Sequence, residues 1–292
     1  MAESKMMKRI AFAFLVLLGL VWAVPVFWLI TNSFKYDGDF ITSIANLQGR
    51  LDYLTRLIPR QWTISNYVEM FVGGEGVNTT ANLLAMFKNS FVVSIAQTIG
   101  VVIVTSLSAY AYERRDFKYG DTIFWTLMYI SMFPNVVSIL PQFRIANALG
   151  WVNNIQALIW PGLAGVFNIF LIRNFMKSIP KDLDEAATID GANSFQIYTK
   201  IILPSIAPVM IVVGLFAFNG AWNDYLWPRI VMTDVNNQTL TAGLRLLMGQ
   251  YEQKWAHMIA SCLVSMIPPF ALYLCAQKYF LQGISVQAGV KG

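Results

Sequence analysis

Two short stretches of this 292-residue chain gather the side chains that could do chemistry. One is EAATIDGANSFQIYTKIILP, Glu185 to Pro204, which sets Glu185, Asp190, Tyr198 and Lys200 in a chain that is 56% hydrophobic. The other is Asn219 followed by Trp222, Asn223, Asp224 and Tyr225. Amides and carboxylates bind hydroxyl groups, and aromatic rings stack on sugar faces, so these five residues are candidates for a substrate pathway. The same rings, with Trp227, equally suit an aromatic belt at a membrane edge, and Asp224 could cap or pair at a helix end. Bond-making chemistry has no comparable signature. The chain has no G-x-S-x-G, no H-E-x-x-H and no clustered Cys/His set. It also lacks the phosphate-cradling loop G-x-x-x-x-G-K-[ST]. His257 is the sole histidine, with no second one for a metal site. Cys262 and Cys275 lie thirteen residues apart in one apolar run, which is ~20 Å along a helix and beyond disulfide reach. The expectation is a chain without enzyme activity, metal or cofactor of its own.

The elements that position these stretches follow from composition. Only 13% of residues are charged, where a soluble domain carries about 25%. Six runs hold no Asp, Glu, Lys or Arg: Ile10 to Phe34, Asn89 to Tyr112, Thr122 to Phe143, Ile145 to Ile172, Ile201 to Asn223 and Trp255 to Gln277. Each is longer than the ~20 residues that cross a hydrocarbon core. The chain therefore reads as all-α and integral to a membrane, with spans at about 10–34, 86–112, 120–143, 152–174, 203–228 and 255–280. The first run is too long for a cleavable signal peptide and continues through Trp22, Pro25 and Trp28 without a small-residue site, so it reads as a retained anchor.

The net charge of +5 is better read as a topology signal than as a nucleic-acid footprint. Twelve of the 21 basic residues flank the spans on one side: Lys5, Lys8, Arg9, Arg114, Arg115, Lys118, Arg173, Lys177, Lys181, Lys200, Lys278 and Lys291. That side is assigned to the cytoplasm, with both termini inside, although the segment after the first span also carries Lys35, Arg50, Arg56 and Arg60. Arg173 and Lys88 stand at span ends, where long cationic side chains snorkel to the interface. The segment 35–85 is then external. Within it Ser65 can cap a short helix carrying Tyr67, Val68, Met70 and Phe71. This helix could serve as a lid over helix ends or as a docking surface for a soluble partner. Pro134, Pro141, Pro161, Pro208, Pro268 and Pro269 fall inside spans, where proline either breaks a helix beside a cavity or is simply tolerated.

The loop 175–202 is cytoplasmic in this topology. Leu183, Ala186 and Ala187 share one helical face by their spacing, with Asp184, Glu185 and Thr188 opposite. Gly191 stands where a left-handed C-cap would stop the helix, and Asn193 or Ser194 can cap a second one. Phe195, Tyr198, Ile201 and Ile202 extend an apolar stripe that Pro204 ends. The product is a short helix, a forced turn and a second helix entering the membrane. A surface-lying helix is disfavoured because four acids stand between Lys181 and Lys200. A connector packed on its own bundle and a projecting helix that fits a partner's groove both remain open.

Glu185-Ala186-Ala187, Gly191, Ile201, Leu203 and Pro204 match the EAA pattern: EAA, three residues, G, nine residues, I-x-L-P. In this the chain resembles the membrane subunits of bacterial binding-protein-dependent ABC importers. PRQWTISNY from Pro59 to Tyr67, the second-span residues Asn89-Ser90 and Ser108 to Tyr112, Gly220 to Asp224, and the terminal Gly289 to Gly292 are similar to the carbohydrate-importing, maltose-permease type. The resemblance implies a type I importer permease fold with a cytoplasmic coupling helix in the EAA loop. It implies that Glu185 meets a basic group on an ATPase subunit, that Ala186 and Ala187 allow close approach, and that Gly191 permits the turn. ATP and Mg would be bound by two partner ATP-binding-cassette subunits. A second, related permease subunit would complete a heterodimer, an extracytoplasmic solute-binding protein would deliver cargo, and the site of action would be the bacterial inner membrane. The terminal residues 287–292 could reach toward the ATPase pair. The cargo implied is a sugar, more specifically an oligosaccharide, with a polyol or glycerol phosphate as the alternative.

Outside the family, a secondary transporter would need carboxylates inside the spans, and Asp121 and Asp224 lie only near span ends. A membrane scaffold would share the docking helix but not the transport.

Overall fold

In the computed structural model, the described residues are 2–36, 59, 61–72, 83–244 and 255–289, with side chains described from residue 5 to 277 among them. The expectations for the rest of the external segment and for the terminal 290–292 lie outside these residues. Every regular element among the described residues is a helix. The chain divides into two units, residues 1–83 with 244–266, and residues 84–243 with 267–292.

The first unit contains α1 (Ala2–Ser33), α2 (Ser65–Val72) and the start of α13 (Trp255–Gly289). Trp22, Phe12 and Leu20 on α1 stand well over half exposed, which is tolerable for a helix solvated by lipid. Its end is different, since Thr31, Asn32 and Ser33 are buried. There the α2 side chains take up its terminal polar groups. Asn66 Nδ2 donates to Ser33 O at 2.9 Å and Lys35 O at 2.7 Å, and Tyr67 OH donates to Ser33 Oγ at 2.7 Å. On its other side α2 meets α13, with Glu69 Oε2 2.9 Å from His257 Nε2 and Ser261 Oγ donating to Met70 Sδ. The short helix therefore covers helix ends of its own chain. Its predicted cap shifts by two residues: Thr63 Oγ1, not Ser65, accepts the orphan Ser65 N–H at 3.0 Å.

The second unit is built on α3 (Leu83–Arg114), a 32-residue helix without proline. Its Thr98, Thr105 and Ser108 hydroxyls donate to carbonyls one turn back, so they enter an apolar environment already satisfied. Against it pack α4 (Gly120–Ser131), α5 (Asn135–Ala148), α6 (Gln156–Ile159) with a 3-10 turn at Trp160–Gly162, and α7 (Val166–Met176). Then come α8 (Asp182–Ile189), α9 (Ser194–Ile197), α10 (Ala207–Asn223), α11 (Leu226–Val231) and α12 (Leu240–Gly243).

Across both units, α1, α3 and α13 are each long and apolar enough to cross a membrane alone. Three bent pairs pass the same test together: α4 with α5, bent by 101°; α6 with α7, by 42°; and the helix 194–205 with α10, by 79°. Proline accounts for two of the breaks. Pro134 is the N-cap of α5 and Pro208 stands in the first turn of α10, positions where a missing N–H costs nothing. Two apolar clusters hold the second unit. One joins Ala109, Tyr110, Phe124, Ile172, Met176, Ala187 and Ile202, and the other joins Val93, Ala146, Leu158, Trp227 and Val231.

Candidate coupling site and polar cavity

The stretch 185–204 folds as two helical pieces around a fixed turn. Asp182, Asp184 and Glu185 occupy the first turn of α8, where carboxylates favour the positive helix end. Gly191 lies at φ +85°, and the Ala192 N–H reaches back to Ala187 O at 2.9 Å, a left-handed C-cap that a glycine permits at no steric cost. Asn193 then caps α9: its side chain accepts from Gln196 N at 2.9 Å while Gln196 Oε1 accepts from Asn193 N at 2.8 Å. Next comes a π-helical turn, Tyr198–Ile202, in which the Leu203 N–H reaches Tyr198 O. It directly precedes Pro204, whose ring would crowd the carbonyl four residues earlier in a regular helix. The 79° bend falls at Ile206, two residues after Pro204.

Of the face that spacing gathers, Ala187 is buried while Leu183 and Ala186 are exposed along with Glu185. Asp184, on the opposite face by spacing, turns inward toward Arg114. Arg114, at the last turn of α3, has a side chain only 2% exposed, with Nη1 3.4 Å from Asp184 Oδ2. Its Nη2 donates to Met176 O at 3.1 Å and Ile179 O at 2.8 Å, the terminal carbonyls of α7 and the chain beyond. One guanidinium thus ties α3, α7 and α8 together. Two tyrosines tie α9 to the same helix. Tyr198 OH lies 2.7 Å from Ser106 Oγ, and Tyr110 OH donates to Ser194 O at 3.2 Å while Arg115 donates to Tyr110 OH at 3.0 Å. Ile197 and Ile202 are buried, Ile201 and Leu203 pack at the edge of the cluster, and Pro204 is exposed. Between the loop and α3 a cleft of about 340 Å³ is lined by Arg114, Arg115, Glu185, Thr188 and Ile189. At the rim of this cleft Ile189 stands 86% exposed, and Phe195 on α9 is 70% exposed.

Arg173 does not snorkel. It is buried, with Nε 3.1 Å from Glu113 Oε2 and Nη2 2.6 Å from Asp121 Oδ1. Its guanidinium carbon sits 4.4 Å from the centre of the Phe124 ring. It pins α7 to the end of α3 and the start of α4. Neither this pairing nor that of Arg114 left a trace in the sequence, since each arginine counted there only as a topology charge.

The five candidate substrate residues are separated by the fold. Trp222, 1% exposed, stacks on Phe218 and meets Phe87 edge-on, so it belongs to the packing of α10 on α3. Asn219 and Asn223 each donate to a carbonyl one turn back in α10. Tyr225 is largely exposed. Asp224, in extended conformation, stands between the end of α10 and the start of α11, beside the backbone N–H groups of Tyr225, Leu226 and Trp227. Of the five, Asp224 lines a cavity of about 510 Å³, whose other polar walls are Gln97, Asn135, Ser138 and Gln142. Among the described residues no three His, Cys, Asp or Glu side chains converge as a metal site.

Comparison with known proteins places this architecture. Residues 102–286 match the model of the family described as "Binding-protein-dependent transport system inner membrane component". The chain belongs to that family. It is similar to the trehalose/maltose transport system permease protein MalG of Thermococcus litoralis, at 31% identity over 98% of both chains. It is also similar to the sn-glycerol-3-phosphate transport system permease protein UgpE of Salmonella typhi, at 32% identity over 78% of this chain and 82% of that one. Among solved structures, a chain of a bacterial ABC transporter involved in the import of the acidic polysaccharide alginate superposes with a TM-score of 0.75 at 21% identity, covering 94% of this chain and 97% of that one. This is the type I importer permease fold. The chain is a membrane component of a binding-protein-dependent transport system, and the motif-bearing loop lies inside the matched region.

Proposed function

We propose that this chain is one of two related permease subunits of an ATP-driven importer of oligosaccharides in the bacterial inner membrane. Its six spans would comprise α1, α3, α13 and the three bent pairs, with both termini and the loop 175–202 in the cytoplasm. The loop is the coupling element for two ATP-binding-cassette subunits, which bind ATP and Mg; the chain itself needs no cofactor. An extracytoplasmic solute-binding protein delivers the cargo. The names of the relatives, trehalose/maltose and sn-glycerol-3-phosphate permeases, support a small polar cargo.

The observation that carries the proposal is the two-sided construction of α8 and α9. Their inner face is anchored to α3 by Arg114, Tyr110 and Tyr198, while Ala186 and Phe195 are exposed and Glu185 and Ile189 stand exposed at the rim of the cleft beside α3. An apolar surface of that size beside a carboxylate suits a groove in a rigid partner, and a short helix held at several points transmits a rigid-body motion that a loose loop would absorb. The test is a mild-detergent pull-down of the tagged chain from its own host, with Glu185→Lys plus Gly191→Pro as the comparison. An ATPase and a second multi-span subunit should be retained by the parent chain, and the ATPase lost by the double variant. A chain that comes down alone, or a variant that keeps its ATPase, refutes the coupling role.

A further inference from the structure

The cavity between α3, α5, the Trp160–Gly162 turn and the α10–α11 junction carries more information than its size. At about 510 Å³ it falls in the range of small-ligand sites. Its polar walls converge from separate elements. Asn135, Ser138 and Gln142 follow i, i+3, i+7 and share one face of α5, Gln97 comes from α3, and Asp224 from the α10–α11 junction. Gln97 reaches the cavity because residue 162 is glycine: a methyl there would run into the Gln97 amide. Three carboxamides and a hydroxyl offer donors and acceptors together, which is what the hydroxyl groups of a saccharide require. Neither Lys, Arg nor His lines the cavity, and its one charged wall is a carboxylate. Phosphate, carboxylate and sulfate groups are recognised most strongly by Arg and Lys; an anionic cargo would find neither here, only the backbone at the start of α5, and would face Asp224.

We infer that this cavity is a subsite for the hydroxyl groups of an uncharged oligosaccharide, formed by Gln97, Asn135, Ser138 and Gln142, and that Asp224 discriminates against anionic cargo. This rests on the importer reading above and assigns direct contact with cargo to this subunit.

The test reads the cavity itself, so that selection by the binding protein does not enter. The full transporter is purified with Cys262 and Cys275 replaced by serine and Ser138→Cys added. Alkylation of the new thiol by a hydrophilic maleimide is timed with no sugar, with a mixture of neutral di- to tetrasaccharides covering α and β linkages, and with a mixture of oligouronates of the same lengths. The neutral mixture should slow alkylation at least threefold and the uronates should not. Gln97→Leu and Gln142→Leu should each raise the half-protecting concentration by about three- to tenfold, the worth of one hydrogen bond. Gly162→Ala should do the same by displacing the Gln97 amide, and Asp224→Asn, which removes the charge at nearly unchanged size, should let the uronates protect. Absence of protection by the neutral mixture, equal protection by both mixtures, or protection indifferent to Gln97 and Gln142 overturns the subsite. ATP hydrolysis by the same preparation is measured alongside. A complex that retains its ATPase but shows no protection loses the subsite and keeps the importer reading; one that never carries an ATPase loses both.

Discussion

Replacing Arg114 by methionine should release the coupling loop from the membrane helices without unfolding them. Methionine fills a similar volume but has no donors. The change removes two charge-assisted hydrogen bonds, to Met176 O and Ile179 O, and leaves the Asp184 carboxylate, 20% exposed, without its counter-ion. Fully buried bonds of this kind are worth about 1.5–3 kcal/mol; these are part-buried, so about 1 kcal/mol each is a fair figure. The stranded carboxylate adds about 1 kcal/mol after allowance for its contact with solvent. Only the Asp184 pair acts on α8 directly, while the two carbonyl bonds hold the end of α7 and the chain leading into it, so the total of about 3 kcal/mol, a factor on the order of 100, is the upper bound for the equilibrium between docked and detached α8. Ala187 reports that equilibrium, since it is buried only while α8 is docked. With Cys262 and Cys275 removed and Ala187→Cys introduced, maleimide labelling should be slow in the parent and at least tenfold faster with Arg114→Met. Arg114→Lys should restore little, because an ammonium cannot span the carbonyls of α7 and the carboxylate of α8 as the planar fork does. Asp184→Asn in the Arg114→Met background should remove the stranded charge and recover about 1 kcal/mol, slowing labelling by about fivefold relative to Arg114→Met alone. Labelling of the introduced thiol at the parent rate in the Arg114→Met protein would refute the idea that this arginine holds the loop.

Two further changes test the turn and the role of the tryptophan. Gly191→Ala places a side chain at φ +85° where there is open space, so the cost is backbone strain of about 1 kcal/mol. ATPase retention in a pull-down should weaken by roughly fivefold, with Gly191→Asn losing less; equal retention by all three chains would count against a fixed turn. Trp222→Ala opens a core void against Phe87 and Phe218 and should cost about 3–5 kcal/mol of stability, seen as a lower Tm and a lower yield of assembled transporter. Normal stability combined with a selective loss of cargo protection in the Ser138→Cys alkylation assay would instead return Trp222 to the substrate pathway.

Local chemistry was the legible part of this molecule. Apolar runs mark where helices can cross a membrane. Gly191, Asn193 and Pro204 act within a turn or two of where they stand, so their types and spacing sufficed to place the two helical pieces of the loop. What escaped was pairing over distance. Arg114 and Asp184 are seventy residues apart, and nothing in a single sequence distinguishes a cation that orients a protein in a membrane from one that bridges three helices inside it. The same blindness left Asp184 simply opposite Leu183 and Ala186, because the spacing carried no account of the arginine that turns it inward. The cluster at 219–225 failed for another reason. Neighbours in sequence suggested a shared site, but α10 ends at Asn223 and the chain straightens at Asp224, so Trp222 goes into the core and Asp224 toward the cavity. Asn135, Ser138 and Gln142 had helical spacing in plain view, yet scattered small polar residues are common in membrane helices, and only the fold brings Gln97 opposite them.

The proposed coupling site and the cavity meet on one element. Gln97 stands seventeen residues before Arg114 on α3, which is ~25 Å along the axis. No proline interrupts that distance, whereas each bent pair has a break where motion could be absorbed. A displacement delivered to the loop enters α3 through Arg114, Tyr110 and Ser106 and arrives at the cavity as a movement of Gln97. The opposite wall, on α5, lies beyond the 101° break from α4, and Arg173 clamps only the α4 side of that break to α3. Motion of the loop would therefore reach Gln97 along one continuous helix, while the Asn135, Ser138 and Gln142 face is joined to α3 through the apolar contacts of Ala146 with the Val93 cluster and would follow less directly, which changes the spacing between the two walls. A hydroxylated ligand held by both walls would lose the Gln97 hydrogen bond in that step, and release would be favoured by the same motion that the loop receives from outside.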